Sequence, residues 1–585
     1  MTGDPAVTSM LADNLDFKTS TASIAVQRWA RRLSVGPFFR WRFSGFSPQQ
    51  ILNRPIDLHL ADPYLAHEFY HGRFPLAGRI VQTGSISPFV VVPPTREWQN
   101  ALHDFSWLRH MAAAETELAN AHARSLLGDW IDICGKRIHG NVWDGAVTAG
   151  RIISWLTHSD ILYESGNTAF KKRFLRSLGL QVRYLRTAVK TMDLNEHRLL
   201  AHIALTFAAL ALPVSQRVAK RTTRNLEREL QKQILPDGGH ISRNPAILLM
   251  LLSHLIALRH CFAQSDIEVP EVLHAAVERM LPALRFFQHR DQSLGNFNGV
   301  GPTLSDRLDI ILQSDETAGN PFSHAPHSGY QRLAAGGTTV LADTGKAPSG
   351  AISKTANAGC LSFEMSSGIK KFVVNCGVDP YGPEEFRFSG RLTAAHSTAT
   401  INDTSSCRFR KNGRVDSAIT AGPSKVVVKR LEQDGQSGFI ALHDGYARSF
   451  NVLHQRTMML SDDGMVLEGA DSFLKANKAH PFKAAKNIAT IRFHLHPDVE
   501  VSRSESGALR LEVMGADSWS FNTDAPLHLE DSIYFCGLKG PTKTRQIVIS
   551  CDIANANEVY WAFQRLSPIA KSQPNLSLDF AVDDI

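Results

Sequence analysis

The residue best suited by type and setting to move a proton is His396, in the run Arg391-Leu392-Thr393-Ala394-Ala395-His396-Ser397-Thr398. Its Ser/Thr-rich surroundings make a purely apolar packing role unnatural. An imidazole with a pKa of about 6.5 both takes and gives protons near neutrality. A structural histidine held by hydrogen bonds is the competing reading. Arg391 and Arg387, just ahead of it, are able to hold an anionic group, or else are solvated surface arginines. The seven cysteines are odd in number, scattered, and lack any CxxC spacing. They read as reduced thiols in a reducing compartment rather than as a disulfide framework or a zinc ribbon.

The elements that must carry these residues change character along the chain. From Trp98 to about His289 the apolar residues recur at helical spacing. Examples are Leu102, Phe105 and Leu108; Ile152, Ile153 and Leu156; Leu199, Leu200 and Ile203; and Ile247, Leu248, Leu251 and Leu252. Each set puts apolar groups on one or two adjoining helix faces. Breaks at Gly135, Gly166, Pro213, Pro236-Asp237-Gly238-Gly239 and Pro270 divide successive helices, which short turns fold into antiparallel hairpins. A toroid and a bundle both fit this pattern. Near Pro321 short β-rich runs take over, at 338–342, 371–375, 425–429, 458–460, 490–494, 509–513 and 546–550. Many short strands separated by Gly, Asn and Asp turns imply an antiparallel sandwich. Helices followed by strands indicate separate domains, with a boundary in the irregular stretch 295–325. The expected organisation is a lead-in at 1–54, a helical domain at 55–300 and a β domain at 320–585.

Composition sets wider bounds. A chain of 585 residues exceeds one hydrophobic core, and 43% hydrophobic with 20% charged residues is ordinary for a folded protein. The net charge of +7 suits an anionic partner, and no Lys/Arg stripe or nucleic-acid motif singles out nucleic acid. No apolar leader stands at the N-terminus, so a cytoplasmic location is expected. The apolar stretches 199–214 and 246–258 fall short of the roughly 20 residues that span a bilayer, and read as buried helices. Arg28-Trp29-Ala30-Arg31-Arg32 and Phe38-Phe39-Arg40-Trp41-Arg42 form a basic aromatic patch. It reads either as an amphipathic lead-in packed on the domain or as an attachment to a membrane surface or partner.

Several segments taken in order resemble one family. They are Leu361-Ser362-Phe363-Glu364-Met365, Phe372-Val373-Val374-Asn375-Cys376-Gly377 and the run 391–398. Phe286-Phe287-Gln288-His289, Pro326-His327-Ser328-Gly329-Tyr330, His443-Asp444-Gly445-Tyr446 and Phe493-His494-Leu495-His496 support them, as does Leu102-His103-Asp104-Phe105-Ser106-Trp107 upstream. Together they resemble the heparinase II/III-like polysaccharide lyases, over roughly residues 55–565. The resemblance implies an α+β multidomain chain, an (α/α) toroid followed by a C-terminal antiparallel β-sandwich. It also implies β-elimination on a uronate-containing acidic polysaccharide, or a catalytically inactive glycan-binding or scaffold protein on the same fold. Many such lyases work in the periplasm or cell envelope, which is the alternative location.

That chemistry requires a group to neutralise the uronate carboxylate, a base for the C5 proton and an acid for the leaving oxygen. His396 matches the family's sandwich histidine. In Asn195-Glu196-His197-Arg198, His197 is kept, while Glu196 stands where the family has Asn and Asn195 lies one position earlier. An ionised Glu repels a carboxylate. The run from Pro236 to Pro245 resembles the loop before the family's catalytic Tyr, but Ile247 occupies the tyrosine position. His240, Arg243, Asn244 and, from the sandwich side, Tyr381 are candidates to replace it. The catalytic set is therefore expected to be His396, His197 and His240, with Asn195, Glu196, Arg243, Asn244, Arg387, Arg391 and Tyr381 on the substrate. No cofactor is required. Asn357 and Asn375 stand at the family's zinc positions, and neutral amides are poor zinc ligands, so no metal is expected. His443 and His454 read as structural, having no carboxylate partner in view.

Overall fold

The computed structural model describes residues 47–566 together with Phe43 and Gly45, except 266, 314–320, 411–416, 434, 484–485 and 505–506. The basic aromatic patch at 28–42 lies outside the described residues.

Three largely buried helices, Gly145–Thr157, Glu196–Ala211 and Pro245–Gln264, pack side by side. In sequence they alternate with Thr168–Ala188, Gln216–Gln233 and Glu271–Phe286, which keep one polar face toward solvent. This inner and outer alternation is the (α/α) toroid arrangement, which periodicity alone left level with a bundle. All three inner helices begin on a capping side chain. Asp144 accepts from Ala146 N at 3.0 Å, Asn195 from Arg198 N at 3.2 Å and Asn244 from Ala246 N at 2.9 Å. Such caps satisfy backbone donors that the first turn leaves open, and Pro245 after Asn244 costs nothing because its missing N–H has no role there. The helix Pro245–Gln264 is longer than the apolar run read from sequence, and with mean hydropathy 1.8 it could cross a membrane by length and composition. Most of it is buried against its neighbours, as an inner helix must be.

From His324 onward the described chain forms two large antiparallel sheets and a small two-stranded one, Arg408–Phe409 with Ile419–Ala421. In the nine-stranded sheet, Lys370–Val374 and Phe363–Ser367 lie between Ile488–Leu495 and Thr338–Asp343. In the eight-stranded sheet, Val452–Ser461 pairs with Gln436–His443 and Val466–Lys475. Buried and half-exposed residues alternate along Val452–Ser461, as one covered face of a pleated strand requires. Most strands run longer than the β-rich runs, because polar residues on the outer face pair as well as apolar ones. Between the sheets lies an aromatic core in which Phe363 stacks on Trp561 at 5.5 Å. Asp471 is buried there and accepts from His454 Nε2, Arg456 Nε and Trp561 Nε1 at 2.7, 2.8 and 2.9 Å. His454 thus has the carboxylate partner that sequence reasoning did not see, since the two meet only across paired strands.

The helical core does not stop at the helices. Ala325, Tyr330 and Leu341 of the first strands belong to the same apolar cluster as Leu248 and Phe286. The nine-stranded sheet is thereby seated on the helical layer, and the candidate residues fall along this seam.

Candidate functional site

His396 follows a short 3-10 turn, Thr393–Ala395, in extended conformation. Its Nδ1 lies 2.8 Å from the Leu392 carbonyl and its Nε2 lies 3.0 Å from Asn357 Nδ2. A carbonyl only accepts, so Nδ1 carries the proton and Nε2 accepts from the amide. The ring is 1% exposed and burial pushes its pKa down. Both nitrogens are engaged inside the protein, so His396 is held in a structural role rather than facing a cleft.

A polar chain continues from it. Asn357 N donates to Asn298 Oδ1 at 3.2 Å, and Asn298 Nδ2 meets Tyr330 Oη at 2.7 Å and Asp343 Oδ2 at 3.2 Å. Arg243 closes the network, with Nη2 2.5 Å from Asp343 Oδ1 and further bonds to the Ser328, Gly329 and Lys346 carbonyls. Its guanidinium also lies over the Tyr330 ring, 4.6 Å from the centroid. Arg243 adopts a left-handed backbone, φ 61°, which costs a non-glycine residue about 1 kcal/mol or more. These bonds offset that strain by holding the helical layer to the sheet. Four of the five Arg243 N–H donors are spent on protein acceptors, and the side chain is 8% exposed.

His240 is equally closed. Its nitrogens lie 2.7 Å from Ser242 Oγ and 2.8 Å from Gln233 Oε1, the residue is 1% exposed, and burial pushes its pKa down to about 3. Gln233 Nε2 passes the network on to the Asn195 carbonyl at 2.8 Å. Asn195 and Asn244 spend their side-chain oxygens on helix caps. Arg391 is buried, donating to the Ala356 and Ser353 carbonyls at 2.9 and 2.7 Å. Arg387 pairs with Glu97 at 3.0 Å, another contact between sandwich and helices. Ile247 is buried at the tyrosine position.

Only His197 and Tyr381 of the expected set are open to solvent, the His197 side chain at 55% and Tyr381 at 49%. His197 Nε2 is 3.8 Å from Glu196 Oε1. No hydrogen bond or ring contact joins His197 to His396 among the described residues. The structure therefore links Asn195 to His240 and Arg243 to His396, with His197 at the surface and His396 buried.

The positions matching the family's zinc ligands do not suit a metal. Asn357 directs its amide at His396, and Asn375 Oδ1 accepts from Ser397 N at 3.0 Å. Asn357 Oδ1 and Asn375 Nδ2 are buried without partners. Two neutral amides and a histidine whose lone pair is engaged are a poor donor set for zinc. Among the described residues no group of three or more His, Cys, Asp or Glu is disposed around a common point for a metal.

Sequence reasoning missed one constellation. Asp57 accepts from His59 Nδ1 at 2.7 Å and lies 3.3 Å from His158 Nε2 and 3.4 Å from Arg109 Nε. Burial alone would raise its carboxyl, but His158, His59 and Arg109 hold it well below the usual carboxylate range. His59 Nε2 is 3.2 Å from Ser253 Oγ. The order Ser, His, Asp is that of a charge relay, yet Ser253 is buried in mid-helix and offers its proton to the Met250 carbonyl at 2.8 Å. At 3% exposure the hydroxyl is enclosed by the protein. The cluster pins the extended arm around Asp57 across the inner helices. Its members are spread from position 57 to 253, and the only hint was polar residues inside apolar helices.

Comparison with known proteins agrees with this architecture. Residues 317–562 match the family model "Heparinase II/III-like, C-terminal". FtsZ-localized protein C of Caulobacter vibrioides is 29% identical over 472 residues, 79% of this chain and 80% of that protein. A mutant of the heparan sulfate lyase HepC of Pedobacter heparinus superposes with a TM-score of 0.61 at 16% identity, covering 97% of this chain and 91% of that one. A heparinase III structure superposes with a TM-score of 0.63 at 13% identity, covering 84% and 79%. At such identities the two lyases speak for the fold alone. Residues 317–562 are thus a heparinase II/III-like C-terminal domain, on a chain whose fold is that of the heparinase III-type lyases.

Proposed function

We propose that this protein is a non-catalytic member of its family, a scaffold that uses the lyase fold to hold partners at the cell-division site. The observation that carries the reading is the closure of His396. A ring with both nitrogens bonded and 1% exposure cannot take a C5 proton without dismantling the seam. Ile247 at the tyrosine position and the closed His240 support it, since neither offers a second proton-transfer group. The division-site part rests on likeness to FtsZ-localized protein C over four-fifths of that protein. Six buried free cysteines and a half-buried seventh suit a reducing compartment, which favours the cytoplasm.

A second reading, β-elimination on a uronate polymer, draws support from the lyase-type fold and from the accessible His197 and Tyr381. One pair of experiments separates the two. Purified full chain is incubated with a panel of uronate polymers, and the unsaturated product is followed by its absorbance. In parallel, a fluorescent fusion is expressed in Caulobacter vibrioides lacking FtsZ-localized protein C. The scaffold reading expects no product and a mid-cell band. Product formation overturns the non-catalytic part, and a diffuse signal overturns the division-site part.

A further inference from the structure

Where the chain crosses from helices to strands, a cavity of about 460 Å³ opens between the connection 291–305, the strand Lys370–Val374, the turn 496–498 and the segment 534–542. It lies away from the sealed network of His396 and shares none of its residues. Its deepest charged group is Lys371, which is 4% exposed. Among the described residues the ammonium has one acceptor, the Leu294 carbonyl at 3.5 Å. Two of its three donors are thus unmet. No hydrogen bond joins it to Glu364, whose oxygens meet His289 Nε2 at 3.2 Å and Asn375 N at 2.8 Å, although Glu364 and Asp291 lie near enough to favour its charge. Tyr534 and Asn296 are buried beside it, 3.5 Å apart between Oη and Nδ2. Asp291 and Asp498 stand exposed at the mouth.

Nearby acidic groups favour the charge, but two buried N–H donors still lack acceptors, and a carboxylate meets such donors with charge-assisted hydrogen bonds. The cavity's volume falls within the range of small-molecule sites, about 300–1,000 Å³. Donors at the base and carboxylates at the rim define opposite needs at the two ends of a bound molecule. We propose that this cavity binds a small molecule with a carboxylate at one end and hydrogen-bond donors at the other. The carboxylate meets Lys371, Tyr534 and Asn296, and hydroxyls or an ammonium face Asp291 and Asp498. A sugar acid and a free amino acid share this chemistry. The proposal does not depend on the scaffold reading, and its test involves neither turnover nor cellular position.

The test is calorimetric titration of the full chain with D-glucuronate and, separately, with L-glutamine, using D-glucose as the control that lacks a carboxylate. At least one carboxylate ligand binds and glucose does not, and the ligand that binds identifies the source. Lys371→Met weakens binding by about tenfold or more, and Tyr534→Phe by a few-fold. Absence of binding by both carboxylates, or an affinity that neither variant changes, overturns the proposal. Should Lys371→Met fail to fold, Tyr534→Phe removes a single oxygen and decides alone, with unchanged affinity counting against the site.

Discussion

The seam around His396 and the cavity around Lys371 are both polar, both buried and both built where the helical layer meets the sandwich. They differ in what is left over. At the seam, Arg243, Asp343, Tyr330, Asn298 and His396 each find protein partners, and their bonds tie one layer to the other. In the cavity, an ammonium faces open volume with a single long bond. Burial of a histidine or an arginine is therefore no sign of a site in this fold. The sign is an unmet donor or acceptor beside space for a ligand.

The largest effect is expected at the ion pair that closes the seam, Arg243 with Asp343. Asp343→Ala leaves the Arg243 guanidinium buried without its carboxylate, and the expected loss is about 3–5 kcal/mol in chemical denaturation. A loss below about 1 kcal/mol would mean that the network is not what joins the layers.

His240 sharpens the contrast through pH. Its folded pKa is about 3 and the unfolded value about 6.5, so the unfolded chain binds the extra proton between those limits. Stability is then fully present above about 6.5 and declines as pH falls toward about 3. By pH 5 the expected loss from this group is about 2 kcal/mol. Denaturation at pH 7 and pH 5 should show His240→Gln with a pH dependence shallower by that amount. Equal slopes would remove His240 from the sealed network.

Asn357→Ala withdraws the donor from His396 Nε2 and leaves a buried acceptor unpaired, for about 1 kcal/mol in the same assay. A rise in stability would show that the unpaired Asn357 oxygen costs more than the amide bond contributes. The smallest effect belongs to the exposed residue. His197→Ala should change stability by less than about 0.5 kcal/mol. A large loss there would give His197 a role that its surroundings do not suggest.

Much of the fold was legible because it is written in local patterns. Apolar residues at helical spacing marked the inner helices, and Asn195 and Asn244-Pro245 lie where two of them start, since capping needs only a side-chain oxygen next to free backbone donors. Short β-rich runs located strands but understated their lengths, because outward-facing polar residues carry no apolar signal. The candidate site was legible in residue identity and not in role. His396, His240 and Arg243 are polar, distinctive and close to one another in the fold, which are the attributes of catalytic groups and of a buried polar brace alike. Arg456 and Asp471 passed unremarked for the converse reason, since an ion pair across two strands has no marker along the chain.

The amino-acid sequence was enough to show that helices dominate the first half and strands the second, and that Ile247, Asn357 and Asn375 carry neither a proton-transfer group nor a charge, at positions the family resemblance assigns to a tyrosine and a metal. Those are matters of chemical identity and local periodicity, which each residue carries wherever it sits. Tertiary structure alone decided which nitrogens of His396 and His240 are engaged, that Asp57 gathers two histidines and an arginine, and that Lys371 looks into a cavity. A hydrogen bond depends on distances of a few tenths of an ångström between residues up to hundreds of positions apart. Only the packing of the two layers sets those distances.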